Sequence, residues 1–301
     1  MLGNLLPGRG NKRKATPHFF LRKGRPLLEL PSKAKKVRNL LVFGDTHSGC
    51  GLALCRPGKI TLDGGGEYSP SKFQQKLWAT FEEHVAWASD ICNGEPFIAI
   101  HMADMVEGVH HGSTTTITNN MKDQRAIAYD VCRYVSEQKR CAAYIQLRGT
   151  ATHVGVAAEH EETVATTLGA VRGEDGRYAH YRVNFELGGK IVNALHHIAT
   201  VGREWTETNA LQAEIGSIFA DAAKNGKTIP DIILRGHRHR ASSVGVPTYK
   251  GQTICLTTPG WQGFGDFTFK VAGARNTDPQ FGLYLIQIVG KETVVRLKLA
   301  V

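Results

Sequence analysis

The chain has 301 residues, of which 42% are hydrophobic and 21% are charged, a composition typical of a globular protein with one sizeable core. Its formal net charge of +10 at first suggests a nucleic-acid-binding surface. Eleven of the 37 Lys and Arg residues, however, lie in residues 1–38 beside a single acid, Glu29, which leaves 26 basic and 26 acidic residues in the remainder. The charge pattern therefore excludes a broadly basic domain and places the basicity in an N-terminal arm.

We predict two regions, a basic, Pro-containing arm over residues 1–36 and a single domain over residues 37–301. Such an arm can bind phosphate backbones through counterion release, and a solvated tail without a ligand is an equally good interpretation. Nucleic acid is therefore a candidate partner of the arm. The sequence leaves the oligomeric state open.

The sequence gives no sign of membrane association. No stretch approaches the roughly 20 apolar residues that a membrane-spanning helix needs, and the N-terminus lacks the apolar core of a secretory signal. Six cysteines occur without a CxxC pair or a zinc-finger spacing, which predicts reduced thiols. We therefore expect a cytoplasmic protein that does not bind membranes.

The domain alternates strand-like and helix-like runs, the pattern of an α/β protein. Short apolar or β-branched runs define the strands, and apolar residues at helical spacing define the helices. The predicted elements, in chain order, are a strand over 37–43, a helix from 71, a strand over 96–104, a helix over 122–139, a strand over 141–147, a helix over 159–168, strands over 178–185 and 190–195, a helix over 209–224, and strands over 230–235, 253–258 and 281–299.

Five of the predicted strands end on a turn that contains Asp or His. The turns are Gly44-Asp45-Thr46-His47, Ala103-Asp104, Gly149-Thr150-Ala151-Thr152-His153, His196-His197 and Gly236-His237-Arg238-His239. Because ligands of open α/β sheets bind at the carboxyl ends of strands, we expect these side chains to converge. One histidine at a strand end is usually a hydrogen-bonded loop residue, but five such ends together favour a metal site. Mixed imidazole and carboxylate ligands suit manganese, iron and zinc better than calcium or magnesium.

This ordered set of motifs resembles the calcineurin-like metallophosphoesterases over about two hundred residues, from Val37 to His239. The resemblance implies an α/β fold with four layers, an αββα sandwich in which two mixed β-sheets lie face to face with helices outside. It also implies two divalent metal ions at the strand ends, with manganese expected and iron or zinc as alternatives. The third motif, Gly-Thr-x-x-His, is similar to that of bacteriophage members of the family.

The resemblance implies a role for each motif residue, beginning with the first metal ion. Asp45, His47 and His239 match ligands of that ion, and Asp104 matches the carboxylate that bridges both ions. The residue before the bridging carboxylate is usually Gly in the family and is Ala103 here. This change tightens the turn but keeps the carboxylate.

For the second metal ion, the resemblance points to His237 and to one of two adjacent histidines. We favour His196 because it follows the strand directly, which leaves His197 as a candidate contact to phosphate or a packing residue. A carboxylate often holds the other ring nitrogen of a metal-bound histidine. Glu107 is a candidate for this role, although we favour the alternative, an ordinary surface acid.

The third motif departs from the family pattern. The family commonly has Gly-Asn-His, with Asn as a ligand of the second metal, whereas this chain has Gly149-Thr150 and a histidine two residues later, His153. Threonine is a poor neutral ligand, so we expect the second ion to bind weakly or to take a water, Asn119 or Asn120 instead. Thr150 stays a candidate contact to the second metal or to phosphate, and His153 takes the position of the general acid.

The implied chemistry is hydrolysis of a phosphate ester. Two divalent ions roughly 3.5–4 Å apart can share a bridging hydroxide at neutral pH, and His153 would protonate the leaving alkoxide; with Asp104 it is the expected catalytic residue. A phosphodiesterase acting on nucleic acid or nucleotides is the first hypothesis, because the arm would concentrate a polyanion. A phosphomonoesterase acting on phosphoprotein or a metabolite is the alternative, since the domain itself is neutral. A non-catalytic assembly module that holds its metal structurally is the third.

Overall fold

The computed structural model describes residues 26–110, 112–199, 206–249, 251–265 and 278–300. A short 3₁₀ helix, Ser32–Ala34, precedes the first strand. The strands are β1 (Asn39–Phe43), β2 (Ile60–Thr61), β3 (Glu67–Tyr68), β4 (Phe97–His101), β5 (Cys141–Leu147), β6 (Ala179–His180), β7 (Arg182–Leu187), β8 (Lys190–Leu195), β9 (Ile232–Arg235), β10 (Ser242–Thr248), β11 (Gly251–Thr257), β12 (Gly282–Val289) and β13 (Glu292–Leu299). The α-helices are α1 (Lys72–Ile91), α2 (Met121–Ser136), α3 (Ala151–Val154), α4 (Glu159–Leu168) and α5 (Glu207–Asn225).

The described strands form two mixed sheets and one small hairpin. The first sheet has the order β13-β12-β1-β4-β5-β6, and the second has the order β10-β11-β9-β8-β7. Strands β1, β4, β5 and β6 run parallel to one another, as do β8, β9 and β11, while the remaining strands of each sheet pair antiparallel. The parallel strands of each sheet therefore end at a common edge.

The two sheets pack face to face because their central strands are apolar on both faces. Leu40 and Val42 of β1 point between the sheets, where they join Phe185 of β7 in one buried cluster. Leu41 and Phe43 point the other way and pack among buried residues of α1 and α2. Continuous apolar runs of this kind are typical of strands buried on both sides.

The outer face of the second sheet is covered by α5. Leu211 and Ile215 of this helix pack on Ile233 of β9 and Cys255 of β11 in a smaller buried cluster. Helices thus cover both outer faces of the paired sheets, and the predicted αββα sandwich with two mixed sheets is confirmed.

Two parts of the sheets differ from the sequence prediction. The run predicted as one strand over 178–185 is divided at Tyr181, since β6 pairs in the first sheet and β7 in the second. Strand β10 was not predicted, because Gly245 and Pro247 disfavour a strand. It forms nevertheless because it lies at the edge of its sheet, where a missing N–H is tolerated.

The last residues of the predicted arm pack on the domain. The backbone N–H of Leu28 donates to the carbonyl of Asn184 (2.6 Å), and Leu30 and Ala34 are buried in the cluster between the sheets. Residues 1–25, which hold seven of the basic residues, lie outside the described residues, and a boundary at residue 36 stays a prediction. The six cysteines are free thiols. Within the described ranges, no helix has both the length and the apolar character that a bilayer crossing demands.

A pair of phenylalanine substitutions tests where the core lies. Phe185→Ala should lower the free energy of unfolding by about 3–5 kcal/mol, because the ring is fully buried between the sheets and leaves a cavity. Phe73→Ala is the matched control. The spacing of apolar residues in α1 predicts an inward ring, but the ring of Phe73 is 41% exposed. The free energy of unfolding should therefore fall by less than about 1.5 kcal/mol. Urea unfolding of both variants measures the difference, and equal losses would contradict this assignment of the core.

Candidate metal centre

The turns that follow five parallel strands meet at one edge of the sandwich. Strands β1, β4 and β5 of the first sheet and β8 and β9 of the second supply the turns. Their side chains form groups whose potential ligand atoms lie within 4.8 Å of one another. The groups contain seven of the residues predicted for the site, namely Asp45, His47, Asp104, His153, His196, His237 and His239.

The first group consists of Asp45, His47 and His239. The Nε2 atoms of the two histidines are 3.1 Å apart, and Nε2 of His239 is 3.3 Å from Oδ1 of Asp45. Ligand atoms that each lie about 2.0–2.2 Å from one ion are separated from one another by distances similar to these 3.1 Å and 3.3 Å separations. Asp45 and His47 are buried, so a metal ion would meet preformed ligands here.

The second group consists of Asp104, His196 and His237. Nδ1 of His196 donates to the carbonyl oxygen of Met102 (2.6 Å). The other ring nitrogen, Nε2, therefore faces the site, where it lies 3.0 Å from Oδ2 of Asp104. A hydrogen bond of this kind fixes the tautomer that a metal ligand needs. His197 is exposed, with its ring centroid 5.3 Å from that of His237. The structure thus places His196 in the group and His197 at its rim.

Asp104 lies where the groups join, because it also belongs to a group with His47 and His153. Thr150 orients its carboxylate: the backbone N–H donates to Oδ1 (2.7 Å) and the hydroxyl donates to Oδ2 (3.1 Å). The Thr150 hydroxyl is also 3.3 Å from Nδ1 of His237. Thr150 therefore stands beside the second group and holds the carboxylate that was predicted to bridge.

The asparagines considered as substitute ligands have other surroundings. Asn120 caps the N-terminus of α2, where its side-chain oxygen accepts from the N–H of Lys122 (2.9 Å) and its amide donates to Asp63 (3.1 Å). Asn119 is exposed. Thr150, by contrast, has its hydroxyl 3.3 Å from Nδ1 of His237 in the second group.

The turns have a strained backbone. In the described chain, eight non-glycine residues have positive φ, and six of them lie here: Asp45, His47, Ala103, Asp104, His237 and His239. Each such residue costs on the order of 1–3 kcal/mol. Ala103, at φ 82°, occupies a position that suits glycine, which explains why the family usually has glycine there. Backbone bonds from Asp45 to Ala103 (2.8 Å) and from His47 to Asp104 (3.0 Å) hold two of the turns together.

The donor set fits divalent metal ions. Oδ1 of Asp45 and Nε2 of His196 are buried, and the atoms that face them, Nε2 of His239 at 3.3 Å and Oδ2 of Asp104 at 3.0 Å, belong to other candidate ligands. Burial and the neighbouring His196 lower the pKa of His237 to about 4, so this imidazole is neutral and has a lone pair for a metal at neutral pH. Two carboxylates and four imidazoles suit manganese, iron or zinc.

Glu107 supports the first group from behind. Its side chain is buried, and Oε2 lies 3.2 Å from Nδ1 of His47 while accepting from the amide of Gln262 (2.8 Å). Burial raises the pKa of Glu107. The alternative of an ordinary surface acid is therefore wrong, and a carboxylate that orients a metal-binding histidine is the arrangement found here.

His153 reaches the site although it comes two residues later than the family motif. The short helix α3 turns its side chain back toward His47 and Asp104. Its Nδ1 donates to the carbonyl oxygen of Glu107 (2.7 Å). Because a carbonyl can only accept, the proton is on Nδ1, and Nε2 is the nitrogen available for chemistry.

Glu161 was missed in the sequence analysis. It is fully buried, and its two oxygens accept from the backbone N–H groups of Gly149 (2.7 Å) and Met105 (3.4 Å). It thereby ties together the turns after β4 and β5. Burial and the charge of Asp104 raise its pKa to about 8. The sequence does indicate that Glu161 is buried, because it lies three and four residues before the apolar Val164 and Ala165 and therefore on the same face of α4.

No protein-family model matches the sequence, and no curated protein matches it. Solved structures with a similar fold include Vps29 from Entamoeba histolytica complexed with Zn²⁺, which is 10% identical over 87% of this chain and 98% of its own, with a TM-score of 0.35. A predicted phosphoesterase from Streptococcus pneumoniae is 10% identical over 87% and 89%, with a TM-score of 0.36. A metallophosphoesterase from Sphaerobacter thermophilus is 9% identical over 87% and 88%, with a TM-score of 0.35.

The architecture predicted from the motifs, an αββα sandwich with two mixed sheets, is confirmed by the order and packing of the two sheets. The bacteriophage type stays a prediction.

A substitution at Gly149 tests the assembly of the turns. In Gly149→Ala the new Cβ would clash with Oδ1 of Asp104 and lie 2.7 Å from its backbone nitrogen, so affinity for Mn²⁺ should fall by about ten-fold or more while the fold is retained. Gly216→Ala in α5 is the control, because a Cβ there meets open space and should stabilise the helix by about 0.5–1 kcal/mol. Titration calorimetry with Mn²⁺ and far-UV circular dichroism measure the two effects. Unchanged affinity in Gly149→Ala would contradict the geometry described for Asp104.

Proposed function

We propose that this chain is a metal-dependent phosphoesterase, a hydrolase that cleaves phosphodiesters in nucleic acid or nucleotides with two divalent ions, manganese foremost. The observation that supports the proposal is the pair of three-residue groups joined at Asp104, with His153 beside the junction. A structural metal site needs one closed set of ligands. Two adjoining sets with a titratable imidazole at their edge are what phosphoryl chemistry needs.

Each of the two ions would have its own set of ligands, with one ligand in common. Asp45, His47 and His239 would hold one ion, His196 and His237 would hold the other, and Asp104 would contact both. Bound there, the ions supply a water activated at neutral pH and positive charge for the phosphate oxygens. Glu107 keeps the His47 ring in place, and Thr150 keeps the Asp104 carboxylate in place.

His153 is the proposed proton donor. Its Nδ1 donates to the carbonyl of Glu107 at 2.7 Å, so the ring is oriented and Nε2 is the nitrogen left for proton transfer beside His47 and Asp104. In the protonated state, Nε2 donates its proton to the alkoxide oxygen as the phosphorus–oxygen bond breaks. His197, at the exposed rim, would contact a phosphate group.

The basic arm supports an anionic substrate. Residues 1–38 hold eleven Lys and Arg residues beside one acid. This excess of positive charge favours a polyanion such as nucleic acid over a small metabolite.

The proposal is tested by hydrolysis of a chromogenic bis-aryl phosphodiester beside its monoester, in Mn²⁺ and after chelation. We expect cleavage that depends on Mn²⁺ and prefers the diester. Asp104→Asn should reduce turnover about a thousand-fold or more, because loss of the shared carboxylate costs several kcal/mol in the transition state. Asp90→Asn, at an exposed position of α1, is the control and should be fully active.

The other outcomes are equally informative. Preference for the monoester would replace the diesterase by a phosphomonoesterase. No turnover of either ester, with two metal ions bound, would favour the non-catalytic module. Normal activity of Asp104→Asn in a folded protein would remove the bridging role.

The role proposed for the arm needs a separate experiment. Deletion of residues 1–25 should weaken binding to single- or double-stranded DNA and reduce its salt dependence, because seven basic residues are lost. Hydrolysis of the small diester should stay unchanged, since the cut leaves Leu30 and Ala34 in the core. Fluorescence anisotropy at several salt concentrations measures the binding. Equal DNA affinity for the full chain and the truncated chain would exclude this role.

A further inference from the structure

A further group of potential ligands adjoins the two already described. Glu107, His110 and His153 have ligand atoms within 4.8 Å of one another. Oε1 of Glu107 is 3.4 Å from Nε2 of His110, and the rings of His110 and His153 meet edge to face with centroids 4.6 Å apart. Neither the motifs nor the proposed hydrolysis uses His110.

The chemistry of this group suits zinc. Two imidazoles and one carboxylate are the donor set of zinc sites that keep one position open. Ligands at about 2.0–2.1 Å from a tetrahedral ion are roughly 3.4 Å apart, which agrees with the distance between Glu107 and His110. The side chains of Glu107 and His110 are 4% and 12% exposed, so the ligands converge in a mostly buried position.

We propose that Glu107, His110 and His153 form a third divalent-ion site, selective for zinc, and that zinc bound there inhibits turnover by engaging His153. The binding part stands alone, while the inhibition rests on the proposed function. Nδ1 of His153 is engaged by the Glu107 carbonyl, so the lone pair open to an ion is on Nε2. That is the nitrogen proposed to protonate the leaving group, and it cannot bind zinc and donate a proton at once.

The third site should be weaker than the other two. Oε2 of Glu107 is already engaged by His47 and by the amide of Gln262, which leaves Oε1 for an ion. Its three protein ligands equal in number those of the second ion and are one fewer than the four residues that would hold the first. The site should therefore fill only when zinc is in excess, after the catalytic ions are bound.

Zinc stoichiometry tests the binding part. After equilibrium dialysis against excess zinc, we expect three ions per chain in the wild type and two in His110→Ala and in His153→Ala. His160→Ala is the matched control, since His160 lies on α4 beside Arg125 (3.2 Å) and belongs to none of the groups; it should keep three. Two ions in the wild type, or three in a folded His110→Ala, would overturn the proposal.

Inhibition tests the functional part. The zinc concentration that halves diester hydrolysis should rise about ten-fold or more in His110→Ala, with the rate at low metal concentration unchanged. Equal inhibition of both proteins would reject the link to His153. If no ester is hydrolysed at all, the proposed function is wrong, and the zinc stoichiometry still tests whether the third site exists. If hydrolysis occurs and the wild type binds two ions, only the proposal of the third site is wrong.

Discussion

The contact between Asp104 and His196 is the one on which the site depends. Asp104 follows β4 of the first sheet and His196 follows β8 of the second, and their side chains meet at 3.0 Å. The contact requires the two sheets to be aligned so that their parallel strands end at the same edge. Burial lowers the pKa of His196, but the charge and hydrogen bond of Asp104 raise it to about 10. Without a metal ion, therefore, the pair is held by a proton that an ion must displace.

The strained turns around this contact need support from elsewhere. His101, fully buried at the end of β4, supplies part of it: Nδ1 accepts from the N–H of Ala103 (3.1 Å), and Nε2 lies 3.1 Å from the hydroxyl of Thr46. Burial lowers the pKa of His101 to about 3, so it stays neutral and structural. Glu161 supplies a second support by tying Met105 to Gly149. Positive φ at the candidate ligands is thus maintained by neighbours that are not in the ligand groups themselves.

The sequence predicts features that depend on residues close together in the chain, and it does not predict features that depend on residues far apart in the chain. The strand-ending turns are local, so the positions of Asp45, Asp104 and His237 at strand ends were predicted from the sequence pattern, and their roles as ligands from the resemblance. The supporting residues are not local: Glu161 acts through backbone groups 12 and 56 residues away, and His110 is defined by a ring contact with His153. The division at Tyr181 also depends on which sheet each half joins. Periodicity carries no information on such partners.

The charge balance of the site bears on the class of ester. Two divalent ions, bound as proposed and offset by Asp45 and Asp104, would leave an excess of about two positive charges. A phosphodiester brings one negative charge, whereas a monoester brings nearly two at neutral pH. The buried carboxyl groups of Glu107 and Glu161 lie just behind the ligands and add negative potential whenever they are ionised. The excess positive charge attracts both esters, and the dianion more strongly, so the charge balance of the site does not by itself favour the diester. The diester hypothesis therefore depends on the basic arm, which would attract a polyanion.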